Sequence, residues 1–591
     1  MRLLGINAFH GDASAVALVD GAIVLGVEEE RFTRVKHWAG FPKRAIQRCF
    51  SKLQNGVSSG FDAIAVSRKP DAYIVQKAVL ALRNPRSLLR AASRVRNLAE
   101  AVSLERRLSE VLPGVSIPKV YAVEHHLAHV ASTFFVSPFE EAACLTVDGF
   151  GDFVSTMLAV GRGSKIKVLD RVLFPHSLGL FYTAITQHLG FPKYGDEYKV
   201  MGLAAYGEPR FVEKVRQIVP ARPDGIFALD LGYFRHLSEG VDMTWEDGEP
   251  KLGDVFTPQL EKLLGPRRHP KDAITQIHKD IAASVQVVYE ERFIALVREV
   301  LRRTGLKKLA LAGGCAMNSL ANGKLFEKTD IQDVYIQAAA GDAGTALGAA
   351  LYVQHALLDE PRRFVMEHAY WGPQYDEADI RKAIAEGIPG SEGKDGHWGE
   401  YAVATVRDEA DLCRETAQSI ASGDVVGWYQ GRSEWGPRAL GNRSILADPR
   451  RADMRDILNL KIKRREAFRP FAPSILEERT GDWFTISHPD PFMIKVYPIR
   501  PEKRVQIPAV THADGTGRLQ TVSERTNPRY WRLIRAFEEL TGVPVVLNTS
   551  FNENEPIVNT PAEALDCFLR TRMDRIVLGD IVVYRQAPHC T

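Results

Sequence analysis

The chain carries almost no net charge: 76 Lys plus Arg stand against 73 Asp plus Glu over 591 residues. A global electrostatic attraction to nucleic acid is therefore disfavoured, and any polyanion site has to be local. Cysteine is scarce, at positions Cys49, Cys144, Cys315, Cys413, Cys567 and Cys590. No two form a CxxC pair, and several sit in apolar runs where a thiol acts as a small hydrophobe, so a reducing cytoplasm is expected rather than a disulfide scaffold. No uninterrupted apolar run approaches the ~20 residues that span a bilayer. The apolar N-terminus is broken by Asn7, His10 and Asp12, which makes a poor signal peptide. Low-complexity tracts are absent too. Neither a membrane nor a nucleic acid is expected as partner. The remaining composition is that of a globular protein, and the length exceeds what one core holds, so two or three domains are expected.

Three strands open the chain, at Leu3–Asn7, Ser14–Val19 and Ile23–Glu28, with the hairpin signal Asp20-Gly21 between the last two. The first is followed by a tight polar loop, Asn7 to Asp12. The device recurs: strand Ala143–Val147, loop Asp148–Asp152, returning strand Val154–Val160. Two such halves suggest an internal duplication, as in the actin/hexokinase-like nucleotide-binding fold. A long helix is predicted over Asp272–Arg303, closed by Gly305. Two strand–Gly-loop–helix units follow: Leu309–Ala312, Gly313-Gly314 and a helix through Asn318 and Asn322; then Val334–Gln337, Gly341–Gly344 and a helix from Thr345 to about Leu357. Such units aim backbone N–H groups at a ligand. Between about Pro361 and Glu400 the chain turns polar and rich in Gly and Pro, the best domain boundary, and Val425–Tyr429 then opens a new α/β unit.

Four constellations carry chemistry. In His125-His126-Leu127-Ala128-His129, the first and last imidazoles lie on one helical face and can share a metal ion. Asp148 is a candidate third ligand and Asp342 a fourth, a set that leaves an open position for Lewis-acid work. The plain alternative is a helix with polar histidines, with Asp342 only a helix N-cap. The loops at Gly149, Gly313-Gly314 and Gly341–Gly344 together suit a nucleotide, although single glycine pairs often mark close packing alone. Gly431–Arg469 holds 11 Lys or Arg against 5 acids, with apolar residues and turns interleaved. A folded pocket for several phosphates follows, the alternative being a salt-bridged surface. Finally, an apolar strand from Val543 runs into Asn548-Thr549-Ser550, a strand end suited to phosphate or adenylate, or a turn with local capping. The Arg-rich stretch Arg83–Arg107 reads as a solvated helix face, with membrane-surface binding the less favoured reading.

These residues resemble the bacterial O-carbamoyltransferase family of nodulation-factor and antibiotic-tailoring enzymes, along almost the whole chain. The motifs that carry the likeness are His10–Ala15, Glu28-Glu29-Glu30-Arg31-Phe32, His125–His129, Val147-Asp148-Gly149, Lys199–Gly207, Gly313–Asn318, Gly436–Ser444, Phe468–Pro473 and Leu547–Asn552. The resemblance implies an α/β protein with two domains. Residues 1–365 would form a duplicated actin/hexokinase-like domain similar to the tRNA threonylcarbamoyl-transfer enzyme. Residues 366–591 would form an α/β domain similar to the threonylcarbamoyl-adenylate synthase. The second domain would make carbamoyl adenylate from carbamoyl phosphate and Mg-ATP, with Arg438, Arg443, Lys463, Arg469, Arg518, Asn548 and Ser550 as binding residues and Lys463 and Arg443 also catalytic. The first would move the carbamoyl group to a hydroxyl of a small molecule, sugar or natural product, releasing AMP. The resemblance implies iron(II), or another divalent metal, on His125, His129, Asp148 and Asp342, with Gly149, Gly313, Gly314 and Asn318 on the nucleotide. His10 is the nominated base, with Asp12 as helper or substitute. Many relatives place His directly before Asp in this loop; here Gly11 stands between them. A homodimer is compatible with this reading. The rival readings are an actin/hexokinase-like small-molecule kinase, which would release ADP, and a non-catalytic RNA-binding relative, which would bind tightly and with strong salt dependence.

Overall fold

The computed structural model describes residues 1–54, 60–83, 104–241, 243–466 and 468–586. Most of the Arg-rich stretch, including Arg86, Arg90, Arg94 and Arg96, lies outside the described residues, as does Cys590. The chain forms two compact units, Met1–Met366 and Glu367–Thr591. Among the described residues no helix is long and apolar enough to cross a membrane.

In the first unit, β1 (Arg2–Asn7), β2 (Ser14–Val19) and β3 (Ala22–Glu28) form an antiparallel meander, turned at Asp20 and Gly21, both with positive φ. β4 (Ala63–Val66) and β5 (Val120–Ala122) join parallel to β1, giving the order β3-β2-β1-β4-β5. The second sheet repeats this wiring. β6 (Glu141–Gly151), β7 (Val154–Arg162) and β8 (Lys165–Leu173) form its meander, and a two-stranded ribbon of β9 (Met243–Glu246) and β10 (Glu249–Leu252) interrupts the chain. β11 (Lys308–Ala312) and β12 (Asp333–Ile336) then join parallel, in the order β12-β11-β6-β7-β8. Two sheets of identical strand order and sense are the duplicated actin/hexokinase-like architecture.

Three helices position the site: α1 (His125–Phe134), α2 (Gln276–Thr304) and α3 (Ala343–Leu351). Every residue of α3 is buried. Its composition, Ala-Gly-Thr-Ala-Leu-Gly-Ala-Ala-Leu, lets it pass close to both neighbours: a Cβ on Gly348 would lie 1.7 Å from the Ala128 carbonyl oxygen of α1, and one on Gly5 of β1 would lie 1.9 Å from that of Ala346. Small residues are thus a condition of bringing the two halves together.

The structure corrects several local expectations. The loop predicted at Asp148–Asp152 is largely strand: β6 runs to Gly151, with its register against β7 shifted between Val147 and Gly151. A bulge of this kind re-aims side chains, and here it redirects Asp148. The long helix starts at Gln276 rather than Asp272, because Thr275 and His278 form a reciprocal capping box. The predicted helix through Asn318 is broken there. Asn318 caps a short helix, Ser319–Gly323, after a single 3-10 turn. α3 ends at Leu351 and continues as a π-helical turn, Tyr352–Leu357.

The second unit is one ten-stranded mixed sheet. In chain order its strands are β13 (Gly396–Trp398), β14 (Tyr401–Thr405), β15 (Val426–Tyr429), β16 (Arg443–Ala447), β17 (Ala472–Leu476), β18 (Lys495–Pro498), β19 (Thr516–Val522), β20 (Val545–Ser550), β21 (Arg575–Leu578) and β22 (Ile581–Arg585). Their spatial order is β13-β14-β22-β21-β15-β16-β20-β17-β19-β18. β15 does not open the unit as expected. It is a central strand, preceded by helices Glu377–Gly387 and Glu409–Ser422, and the Gly- and Pro-rich stretch after Gly387 is a turn inside the unit. Trp428, Tyr429, Ile445, Phe551 and Ile576 are part of the core beneath these strands.

Candidate active site residues in the two units

In the first unit, α1 begins with Glu124 as N-cap, its carboxylate accepting from the Leu127 N–H. This start fixes the helical phase, so that His125 and His129, four residues apart, turn their Nε2 atoms to one point 3.1 Å from each other. Asp148 Oδ2, redirected by the bulge, lies 3.4 Å from His125 Nε2 and 3.5 Å from His129 Nε2. Asp342 Oδ1 lies 3.4 and 3.6 Å from the same two atoms. Asp342 does occupy the N-cap position of α3, but its side chain makes no capping hydrogen bond. All four residues are buried, and their donor atoms lie within 4.8 Å of one another.

The donor chemistry fits a divalent cation. Four ligands at ~2.1 Å around a tetrahedral ion stand about 3.4 Å apart, which is the spacing seen here. Two imidazoles with two carboxylates is also a set that iron, zinc and similar metals accept. The charge balance agrees. Burial alone disfavours charge on His125, yet the carboxylates of Asp148 and Asp342 outweigh it and hold its pKa well above the ordinary value. The two carboxyls are depressed in turn by their hydrogen bonds to the imidazoles, against burial and mutual repulsion. His126 takes the structural role. Its Nδ1 meets Thr146 Oγ1 at 2.7 Å and its Nε2 meets the Val154 carbonyl at 3.0 Å, and burial keeps it neutral.

His10 sits on the rim of this cluster, its ring stacked 4.9 Å from that of His125 and its Nδ1 3.3 Å from Asp342 Oδ2. The carboxylate is an acceptor, so Nδ1 is the donor in this contact, and in the neutral ring Nε2 is the acceptor nitrogen. Asp12 turns elsewhere: its Oδ1 meets His37 Nδ1 at 2.8 Å. Asp12, Glu30 and His37 also bring their donor atoms within 4.8 Å. The Asp12–His37 distance, however, is that of a charge-assisted hydrogen bond, shorter than two ligands of one metal stand apart. Burial opposes charge on His37, but Asp12 and then Glu30 raise its pKa to about 9.

The expected nucleotide residues have internal work. Gly314 N–H donates to Asp148 Oδ1 at 2.9 Å and so orients a cluster carboxylate. Gly313, at φ +97, lies so close to β6 that a Cβ would sit 2.2 Å from the Val147 oxygen. The Asn318 amide is engaged with Gln286 and the Ala321 N–H. Only at Gly149 is there nothing within 4 Å of a would-be Cβ.

In the second unit, the Glu434 carboxylate accepts from the N–H groups of Leu440, Asn442 and Arg443 at 2.7, 2.8 and 3.2 Å. An internal anion thereby winds up the Gly436–Asn442 loop that carries Arg438. Asn548 reaches this loop from β20, donating to Ala439 O, Ser474 Oγ and Gln520 Oε1. Arg438, Arg465, Arg469 and Arg518 gather beside it: Arg518 is pushed well below its usual pKa by burial and then by the other three guanidiniums, with Asp490 opposing, and Arg469 also pairs with Glu466 at 3.7 Å. An arginine does not give up its proton in practice, so the shift reports repulsion among neighbouring cations, which a polyanion would relieve.

Arg443 and Lys463, the two residues expected to be catalytic here, have their cationic ends bonded within the protein. The Arg443 guanidinium is fully buried, bonded to the carbonyls of Gln430, Asn442, Gly431 and Pro373 and stacked 3.6 Å over the Tyr429 ring. Lys463 Nζ is held by Ser550 O at 2.5 Å and by Asn552 O and Oδ1 at 2.7 Å each. Ser550 Oγ donates to Asn552 Oδ1. Sequence reasoning missed Glu434 and His37, and counted Arg465 only among the cations of the basic stretch. Glycines 436 and 441 signalled a tight loop, but nothing in the spacing marked Glu434 as its anchor.

Comparison with known proteins places both units. A family model described as "Carbamoyltransferase N-terminus" matches residues 2–351, and one described as "Carbamoyltransferase C-terminus" matches residues 417–585. An uncharacterised protein of Synechocystis sp. is 40% identical over 99% of this chain and 97% of its own length. Nodulation protein NolNO of Sinorhizobium fredii is 41% identical over 98% of this chain and 80% of its own. Nodulation protein NolO of Bradyrhizobium diazoefficiens is 41% identical over 78% of this chain and 79% of its own.

Proposed function

The chain belongs to the carbamoyltransferase family, and from that premise we propose that it is an ATP-dependent O-carbamoyltransferase with two separate chemical stages. The observation that carries this reading is the pairing of two unlike sites: a His/Asp metal-ligand set in the first unit and a repelling guanidinium cluster in the second.

The first stage is assigned to the second unit, and consumes carbamoyl phosphate, Mg-ATP and water. Water opens carbamoyl phosphate to carbamate and phosphate. A carbamate oxygen then attacks the α-phosphorus of ATP, forming carbamoyl adenylate as pyrophosphate leaves. Arg438, Arg465, Arg469 and Arg518 hold the phosphate oxygens and neutralise the charge that builds on them. Arg443 and Lys463 act one step back: the first ties the Gly431 loop to β16, and the second fixes the strand end at Ser550. Asn548 locks the Arg438 loop to the sheet.

The second stage is assigned to the first unit. His125, His129, Asp148 and Asp342 would hold a divalent metal, iron(II) being the family's choice, and such a metal polarises a carbonyl oxygen as a Lewis acid. His10, oriented by Asp342, accepts the acceptor hydroxyl's proton at Nε2. The acceptor oxygen bonds to the carbamoyl carbon, and the carbon–oxygen bond to the adenylate breaks, its electron pair leaving with AMP. The acceptor class is a hydroxyl of a small molecule or glycoside.

The test is product analysis. Metal-loaded protein with ATP, magnesium and carbamoyl phosphate should release AMP and pyrophosphate, and neither when carbamoyl phosphate is omitted. ADP in place of AMP would favour a kinase, and no nucleotide turnover by folded, metal-loaded protein would contradict the reading.

A further inference from the structure

Gly11 is the residue that separates His10 from Asp12, and its place is taken up by Tyr194. A Cβ on Gly11 would stand 2.6 Å from the Tyr194 hydroxyl oxygen and 3.0 Å from its Cζ. The absence of a side chain at Gly11 therefore leaves room for the phenol against the loop that carries the two residues nominated for proton transfer. Tyr194 itself lies on a turn built to hold still. Asp196 accepts from the Lys193 N–H at 3.3 Å and pairs with Lys199 at 2.9 Å. Glu197 accepts from Thr183 Oγ1 at 2.6 Å. Gly195, at φ +82, is pressed against His37, whose ring also meets the Tyr194 ring edge-on at 5.6 Å. The Asp12–His37 pair thus braces the phenol from behind.

Among the described residues the Tyr194 hydroxyl has no hydrogen-bond partner, and the side chain is only half-buried. A fixed phenol donor against Gly11, next in sequence to His10 and without a hydrogen-bond partner among the described residues, suits an oxygen that gains negative charge during the reaction.

We propose that Tyr194 is a catalytic hydrogen-bond donor of the transfer stage, its hydroxyl directed at the carbamoyl oxygen as the acceptor attacks. The inference rests on the two-stage reading above. The acceptor oxygen's pair forms the new bond to the carbamoyl carbon, and the carbonyl π pair moves to the oxygen that Tyr194 faces. That pair then returns as AMP departs with the electrons of the broken carbon–oxygen bond. The acceptor's proton goes to His10, and Tyr194 retains its own. Its contribution exists only while the oxygen is negative, so it acts on kcat and leaves binding unchanged.

The experiment uses the full-length, metal-loaded chain with water as the acceptor, so that no natural acceptor is needed. Two rates are read: carbamoyl-phosphate-dependent exchange of labelled pyrophosphate into ATP, which reports the first stage, and net AMP release, which reports the second. Tyr194→Phe should keep the exchange and the KM for ATP and carbamoyl phosphate, and lose about 100-fold in AMP release, the usual cost of one oxyanion donor. Gly11→Ala, which displaces the phenol, should lose AMP release to a similar degree. Gly11→Ala combined with Tyr194→Phe should then be no worse than the single changes multiplied, and closer to either alone. AMP release at the wild-type rate in Tyr194→Phe, with exchange intact, overturns the inference and leaves the two-stage reading standing. Absence of exchange and of AMP in the wild-type protein overturns both.

Discussion

His125 and His129 hold their Nε2 atoms 3.1 Å apart, facing the carboxylates of Asp148 and Asp342. One of the two nitrogens can donate to the other at that distance, and the same four donor atoms are spaced so that they could instead share a cation. Titration with cobalt(II), followed by its visible spectrum, should show one tight site. Asp342→Asn or His129→Ala should weaken it beyond the ~10- to 100-fold typical of losing a residue that merely supports a ligand. His126→Ala should leave metal affinity nearly unchanged and lower stability by about 1–3 kcal/mol, because it strands the buried groups of Thr146 and Val154.

The guanidinium cluster predicts a different pattern, in which binding and stability part company. Arg518 is held among like charges at a cost to the fold. Arg518→Met should leave the thermal midpoint unchanged or raise it in the absence of anions. Pyrophosphate should raise the midpoint of the wild-type protein and not that of the variant, with the difference shrinking as salt is added. A lowered midpoint in anion-free buffer would mean that Arg518 supports the fold rather than a ligand.

Arg443 should behave in the opposite way. Its guanidinium satisfies four carbonyls and covers the Tyr429 ring. Arg443→Ala would leave those oxygens buried and unpaired, costing on the order of 3 kcal/mol or more in denaturant unfolding. Arg443→Lys should recover little, since an ammonium cannot reproduce the planar fork.

The Asp12–His37 pair gives a pH dependence of definite sign. His37 is raised from 6.5 to about 9 by Asp12 and Glu30, with Lys36 opposing and Tyr194 packed against its ring. Its stabilisation is complete below pH 6.5 and is lost as pH rises through about 9. The stability difference between the wild-type protein and His37→Gln should therefore be flat in acid and narrow above neutrality, as read by urea unfolding at a series of pH values.

The meander strands and the long helix were legible because their apolar periods and turn signals are local: Asp20-Gly21 turns, and Gly305 caps. The pairing of His125 and His129 on one helical face was legible because spacing of four on a helix is itself geometry. Asp342 was ambiguous between ligand and N-cap; it stands at the N-cap position without a capping bond and faces both histidines. Arg443 and Lys463 were read from their charge as catalytic groups, and the structure shows their cationic ends bonded within the protein. Sequence reveals that a charge is present, not whether backbone carbonyls have already claimed it. The bulge in β6 at Asp148 and the reach of Tyr194 to Gly11 depend on contacts between distant segments, which no local pattern encodes.

The measurement that tests the two-site account most directly is a crossed comparison of His129→Ala and Arg518→Met in the same pair of assays. Carbamoyl-phosphate-dependent pyrophosphate exchange into ATP reads one site, and net AMP release reads the other. The account predicts that His129→Ala keeps the exchange while AMP release falls, and that Arg518→Met loses both. Exchange that survives in Arg518→Met, or that disappears in a folded His129→Ala protein, would contradict the assignment of the two stages to two sites.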